Sequence, residues 1–252
     1  MMKKSFLFCI VVVGLLLLPN FKNWAQDKSL TADEILAKVD DVINAPEDQD
    51  LKVNLILIDK DGKEKLREMS MLQKGCEKRM VIFLSPADQK GIGVLSLPND
   101  VMYLYLPAFK KTRRIASHVK NTKFAGTDFT YEDMEAIRYS EKYIPEILKQ
   151  VDNFIILQLK PKEGVKTDYS KLIMWVKSDN FCLTKIEHYD KGNTLYKVRT
   201  SEKFEKLGKY WISKESAMED LKAKHKTKMI MVDVRFDSGL SDDKFTERYL
   251  GR

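Results

Sequence analysis

The chain has 252 residues, a hydrophobic share of 44%, a charged share of 32% and a net charge of +7. That apolar content excludes wholesale disorder, and eleven Gly with seven Pro exclude a collagen-like or low-complexity chain. Three Cys exclude a disulfide-dense scaffold, and the length is ample for a real core.

The first residues read Met1-Met2-Lys3-Lys4, then an apolar run from Phe6 to Leu18, then Pro19. A basic start before a short apolar run is the pattern of a cleavable secretory signal. The run is too short to span a bilayer as a helix, which takes roughly 18 residues or more. Ala25 is the expected last residue before cleavage, so residues 1–25 are read as signal and 26–252 as one exported domain. Cleavage removes Lys3, Lys4 and Lys22 and lowers the net charge from +7 to +4. No nucleic-acid footprint follows from so mild an excess. Cys76 and Cys182 remain; an oxidising compartment permits a bridge between them, and free thiols are the alternative.

Thr31-x-x-Glu34 is a capping box, followed by Ile35, Leu36, Val39, Val42 and Ile43 at helical spacing, which predicts a helix over 32–43. From Leu51 the period becomes two, and Lys60-Asp61-Gly62 predicts a hairpin turn. The return strand ends at Gly75, and another is expected over 78–84. A further hairpin is expected from 92–97 and 101–106, turning at Pro98-Asn99-Asp100. Residues 107–128 carry Lys110, Lys111, Arg113, Arg114, Lys120 and Lys123 with little periodicity, and read as a long basic loop. Thr130-x-x-Asp133 caps a short helix. Strands are expected over 153–160, 171–177, 181–189, 194–204, 210–219 and 227–236, and Ser241 caps a last short helix ending near Leu250. The fold class is mainly β with short α: one antiparallel sheet of about ten or eleven strands, large enough to curl.

The residues of familiar catalytic motifs are missing from the sequence. His118, His188 and His225 lie far apart, no Cys-x-x-Cys occurs, and there is no Gly-x-Ser-x-Gly elbow or phosphate-binding loop. A non-catalytic protein without cofactor or metal is expected. Met and aromatic side chains recur on the strands, and most should form core. Some should line a cavity for an apolar ligand, because Met adapts to irregular chains. The candidates are Met69, Met71, Phe83, Tyr103, Tyr105, Trp175, Met229 and Met231, with the short helices as lid.

Three stretches carry a family signature: Tyr103-Leu104-Tyr105-Leu106-Pro107, Arg113-Arg114-Ile115, and Phe124-Ala125-Gly126-Thr127-Asp128-Phe129-Thr130-Tyr131-Glu132-Asp133. With Ser85–Gly91 before them and Phe245–Leu250 at the end, they resemble the outer-membrane lipoprotein-sorting proteins, a LolA-like periplasmic group. The resemblance implies an unclosed antiparallel β-barrel with a helical lid over an apolar cavity. It also implies a periplasmic carrier, expected here to be non-catalytic and a monomer. Such a carrier takes acylated lipoprotein or lipid from an inner-membrane exporter towards an outer-membrane acceptor. Related folds serve as envelope sensors or as accessory proteins of membrane exporters, which is the alternative reading. Residues 139–151 and 221–226 depart from the family pattern. Among the motif residues, Arg113 and Arg114 are expected to meet lipid head groups or an acidic partner, or for one of them to pair with Asp128 or Asp133. Gly126 is expected to supply a turn that a side chain would block.

Overall fold

The computed structural model describes residues 29–252; the expected signal over 1–25 lies outside the described residues. Helix α1 runs Ala32–Ile43. Its capping box is reciprocal: Glu34 N donates to Thr31 Oγ1 at 3.2 Å, and Thr31 N donates to Glu34 Oε2 at 2.8 Å. The helix buries Ile35, Leu36 and Val39, the stripe its apolar spacing predicts.

Thirteen strands follow: β1 Asp48–Ile58, β2 Glu64–Lys74, β3 Lys78–Ser85, β4 Gly93–Leu97, β5 Val101–Leu106 and β6 Lys111–Arg114. After helix α2 (Tyr139–Lys142) come β7 Tyr143–Val151, β8 Phe154–Pro161, β9 Lys171–Lys177 and β10 Leu183–Tyr189. The last are β11 Leu195–Leu207, β12 Tyr210–Asp220 and β13 His225–Phe236, before helix α3 at Glu247–Leu250. The sheet order is β6-β5-β4-β3-β2-β1-β13-β12-β11-β10-β9-β8-β7, antiparallel at every junction described by a ladder. Two meanders are thus joined where β1 pairs with β13, and β6 and β7 are the free margins. The sheet is an unclosed antiparallel β-barrel.

Two strands exceed the sequence expectation. The supposed basic loop contains β6, a four-residue edge strand with exposed Lys111, Arg113 and Arg114. The irregular stretch over 139–151 is α2 followed by β7. Both margins carry devices that discourage pairing with another chain: charge on β6, and Pro145 plus a register shift around Leu148 on β7. The expected last helix is also divided, into a 3-10 turn over Asp242–Lys244 and α3, each with its own hydroxyl cap from Ser241 and Thr246.

Three apolar clusters hold this arrangement. On the inner face of β1–β5, β12 and β13, Val53, Leu55, Met69, Val81, Phe83 and Met102 pack against Phe124, Phe129 and Met134 of the segment between β6 and β7. In the other half, α1 lies against Leu157, Leu159, Leu172, Met174 and Ile186 of β8–β10. The third cluster is on the outer face, where Leu240, Phe245 and Leu250 of the C-terminal segment cover Leu72, Met80 and Leu95. Asp48 starts that segment on its path: Ser238 N and Oγ donate to its Oδ1, and Leu240 N to its Oδ2, all at 2.8 Å. Gly93 lets Leu250 approach, since a Cβ there would sit 2.8 Å from Leu250 Cδ1.

Candidate ligand site inside the half-barrel

Between α1, the inner sheet face and the 115–142 segment lies a cavity of about 240 Å³. Its apolar wall comes from both halves of the chain: Leu51 and Met71, then Trp211, Met218, Met229 and Met231. Phe129, Met134 and Ile137 close it from the crossing segment, and Val42 and Ile43 from the end of α1. The alternation of strands brings these side chains inward: Leu51 faces Met71 across β1 and β2, and Val53 faces both Met69 and Met231.

Of the expected cavity residues, Met71, Met229 and Met231 line this space. Met69 and Phe83 point to the same face but are packed solid beneath Phe124, whose ring stacks on Phe83 at 5.2 Å between centroids. Tyr103, Tyr105 and Trp175 require correction. Tyr103 and Tyr105 pack with the outer cluster under the C-terminal segment, and it is Met102 and Leu104 of the same strand that turn inward. Trp175 stands on the opposite parity from buried Leu172, Met174 and Val176, with Lys185 Nζ 4.2 Å from its ring centroid. Strand parity decides each case, and parity was not readable from alternating runs that are apolar on both faces.

The cavity is not uniformly apolar. One end is built from Gln73, Arg79, Glu132, Asp133, His188 and Arg199. Asp133 is the centre of a buried network. Its Oδ2 accepts from Lys197 Nζ at 2.6 Å, Thr130 N at 2.7 Å and Thr130 Oγ1 at 2.8 Å, and its Oδ1 from Tyr169 OH at 3.0 Å. Lys197 is only 1% exposed and donates also to Tyr169 OH at 2.7 Å. Burial pushes the Asp133 carboxyl up, but the Lys197 ammonium and these hydrogen bonds outweigh it and hold it well below the usual carboxylate range. Glu132 goes the other way. Burial raises it to about 7, and the neighbouring Asp133 and Glu135 carboxylates add to the rise against a hydrogen bond from Thr167. His188 is lowered to about 3 by burial and by the Lys197 cation, so its ring is neutral at neutral pH.

Arg79 donates from Nε at 2.9 Å and from Nη2 at 2.6 Å to Gln73 Oε1, and from Nη1 to the Glu135 carbonyl at 2.8 Å. Burial and the nearby Arg199 lower its pKa to about 10, which leaves it charged. The Glu135 carboxylate itself is taken by Lys120 at 2.6 Å and Lys142 at 2.5 Å. Cys182 also lines the cavity; both Cys76 and Cys182 are free thiols, and burial raises that of Cys182 to about 11.

The crossing segment is pinned rather than loose. Asp128, fully buried, accepts from Lys123 Nζ at 2.9 Å and from Thr227 Oγ1 at 2.8 Å, and its Oδ2 lies 2.5 Å from His225 Nδ1. Lys123 also meets Asp220 at 2.8 Å, and Arg67 Nη1 donates to the Ala125 carbonyl at 2.5 Å. Asp128 and Asp133 therefore take their ion-pair partners from Lys123 and Lys197, not from Arg113 or Arg114, which stay exposed on β6. Gly126 has φ +74°, which strains any side chain by its backbone conformation, although a Cβ there would meet nothing within 4 Å; Tyr131 rests against Phe124 at 5.7 Å.

Sequence reasoning did not reach Arg79, His188, Lys197 or Arg199. The nearest signal was their placement: charged or polar residues within strands whose neighbours at two-residue spacing are apolar, such as Arg79 with Val81 and Phe83. Among the described residues no three His, Cys, Asp or Glu side chains converge as a metal site, and no helix is long and apolar enough to cross a membrane.

A family model described as an uncharacterized protein matches residues 75–252. No curated protein matches the chain. Solved structures do. A candidate outer membrane lipoprotein-sorting protein domain from Vibrio parahaemolyticus has a TM-score of 0.79 at 27% identity, covering 88% of this chain and 100% of that one. A DUF1329 family protein from Desulfovibrio piger gives 0.80 at 25% identity, covering 87% and 97%. A LolA superfamily protein from Nitrosomonas europaea gives 0.74 at 23% identity, covering 88% and 100%, which shows likeness of fold.

Proposed function

We propose an acyl-chain carrier role for this chain, which belongs to the family whose model spans residues 75–252 and has the LolA-like fold of lipoprotein-sorting proteins. In this reading it is a non-catalytic periplasmic protein, exported by residues 1–25 and folded as one domain from residue 26. It shields the hydrocarbon of an acylated lipoprotein or lipid on the way to the outer membrane. The observation that carries the reading is the Met-rich wall of Met71, Met218, Met229 and Met231 around an interior space, beneath a segment held there by side chains.

Burying a methylene contributes roughly 0.8 kcal/mol, so a long acyl chain gains on the order of 10 kcal/mol over water. A membrane offers the same gain, so hand-over is nearly neutral and needs no covalent step. The resting cavity of about 240 Å³ is below the roughly 300 Å³ at which ligand pockets begin. Cargo must therefore displace part of the lid, and the separable pieces are α1 and the 115–142 segment. Direction then comes from donor and acceptor proteins rather than from affinity.

The test is to purify the protein from the periplasm without detergent and extract it with organic solvent for mass spectrometry. A second sample is titrated with a fluorescent acyl probe. Acylated material in the extract, or saturable uptake of the probe, is expected. An empty extract together with no uptake would overturn the carrier reading and favour an accessory or sensor protein that binds through its surface.

A further inference from the structure

We infer that the polar end of the cavity binds the anionic head of an amphiphile, a carboxylate or phosphate group, through Arg199 and Arg79 with His188 beside them. The inference rests on the carrier reading and adds the chemical class of the cargo. Arg199 lines the cavity, and its Nε is buried with no hydrogen-bond partner. His188 lines the same space at 4% exposure, and its Nδ1 is likewise buried without a partner. Buried polar atoms in folded proteins are satisfied almost without exception, so two orphans on residues that line one cavity mark the place of an absent partner, which those side chains reach by turning into the space.

The charge of the missing partner follows from the neighbours. Arg79 and Arg199 are close enough that Arg199 lowers the Arg79 pKa, and no carboxylate forms an ion pair with either among the described residues. Asp133 is committed to Lys197, and Glu135 to Lys120 and Lys142. Glu132 is the remaining carboxyl at this end; with its proton held up to about pH 7, it can donate to an oxyanion instead of repelling it. Guanidinium groups suit carboxylate and phosphate because their donors match the paired oxygens. The hydrocarbon of the same molecule has a path, since Arg199 sits directly opposite Met218 across β11 and β12. A charged head at Arg199 thus places its first carbons against the Met wall.

The experiment compares acid with ester. Purified, delipidated protein is titrated with cis-parinaric acid and with its uncharged methyl ester, followed by probe fluorescence. The acid should bind about ten- to a hundredfold more tightly, the range for hydrogen bonds to a charged group. Arg199→Gln should bring the acid-to-ester ratio close to one. Displacement of the probe by dioleoyl phosphatidic acid against dioleoylglycerol separates the two sources: preference for phosphatidic acid over parinaric acid assigns a phospholipid head, the reverse a free fatty acid. Equal binding of acid and ester by the unaltered protein overturns this inference and leaves the carrier reading standing. Binding of neither overturns both.

Discussion

Removing the charge of Asp133 tests how far the interior depends on its ion pair. In Asp133→Asn, Lys197 keeps its 1% exposure but loses the carboxylate 2.6 Å away, leaving Tyr169 OH as its remaining strong partner. Taking one member from a buried pair costs about 3–5 kcal/mol, because the other charge stays desolvated. At about 2–4 °C per kcal/mol for a chain of this size, Tm should fall by roughly 6–20 °C. An exposed pair provides the contrast. Lys203 and Glu215 are 2.5 Å apart but 63% and 37% exposed, and Lys203→Gln should cost less than about 1 kcal/mol. The double change Asp133→Leu with Lys197→Met removes both charges and should recover much of the loss. Urea and thermal unfolding by circular dichroism read all three. The Asp133 carboxyl is held below its unfolded value of 3.8, so its contribution is complete above that pH and is lost as pH falls through the range beneath it. A loss below about 1 kcal/mol for Asp133→Asn, or no extra acid sensitivity in the unaltered protein, would refute the reasoning.

Glu132 predicts the opposite slope. Its folded pKa of about 7 lies above the ordinary 4.5, so between those values the folded state holds the extra proton and stability declines as pH rises. Glu132→Gln should raise stability at pH 8 by on the order of 1–3 kcal/mol and flatten the profile between pH 5 and 8, as read by Tm against pH. Phe124→Ala removes the ring stacked on Phe83 and should cost about 3–5 kcal/mol. It should also speed uptake of an acyl probe in stopped-flow mixing, because Phe124 fastens the crossing segment. Gly93→Ala forces a Cβ against Leu250 and Val81 O, at 2.8 and 3.0 Å. It should cost about 1–3 kcal/mol and raise hydrogen exchange over residues 240–250, while leaving the cavity side unchanged.

How much of this was legible beforehand varied with the kind of signal. The capping box at Thr31 and Glu34 with its apolar stripe placed α1 at its observed ends. Eleven of the strands announced themselves by period two and by turn residues such as Asp61-Gly62. β6 and β7 did not, because edge strands need no buried face: Lys111, Arg113 and Arg114 carry no apolar alternation, and β7 contains Pro145 and exposed Ile144 and Leu148. The site was less legible than the fold. Lys197 and Asp133 are 64 positions apart, and only the strand order brings them together. Lys120 and Lys123 looked like solvated positive charge, yet Lys120 turns towards Asp100 and Glu135, and Lys123 towards Asp128 and Asp220. Tyr103 and Tyr105 matched the family motif and still face outward, since a motif preserves residue type without stating which side of a pleat it occupies.

The unpaired margins have a mechanical consequence. In a fully sealed cylinder, dilating the wall to admit a bulky guest would tear backbone hydrogen bonds. Here β6 and β7 share none, so the two flanks can spread about the central β1 and β13 pair while each existing ladder stays whole. The resistance is then the packing of the crossing segment and α1 on the inner face, with Phe124 and the Lys123 bridges among its contacts. Widening at those margins therefore costs side-chain contacts, including those of Phe124 at 2% exposure, and no rung of a ladder.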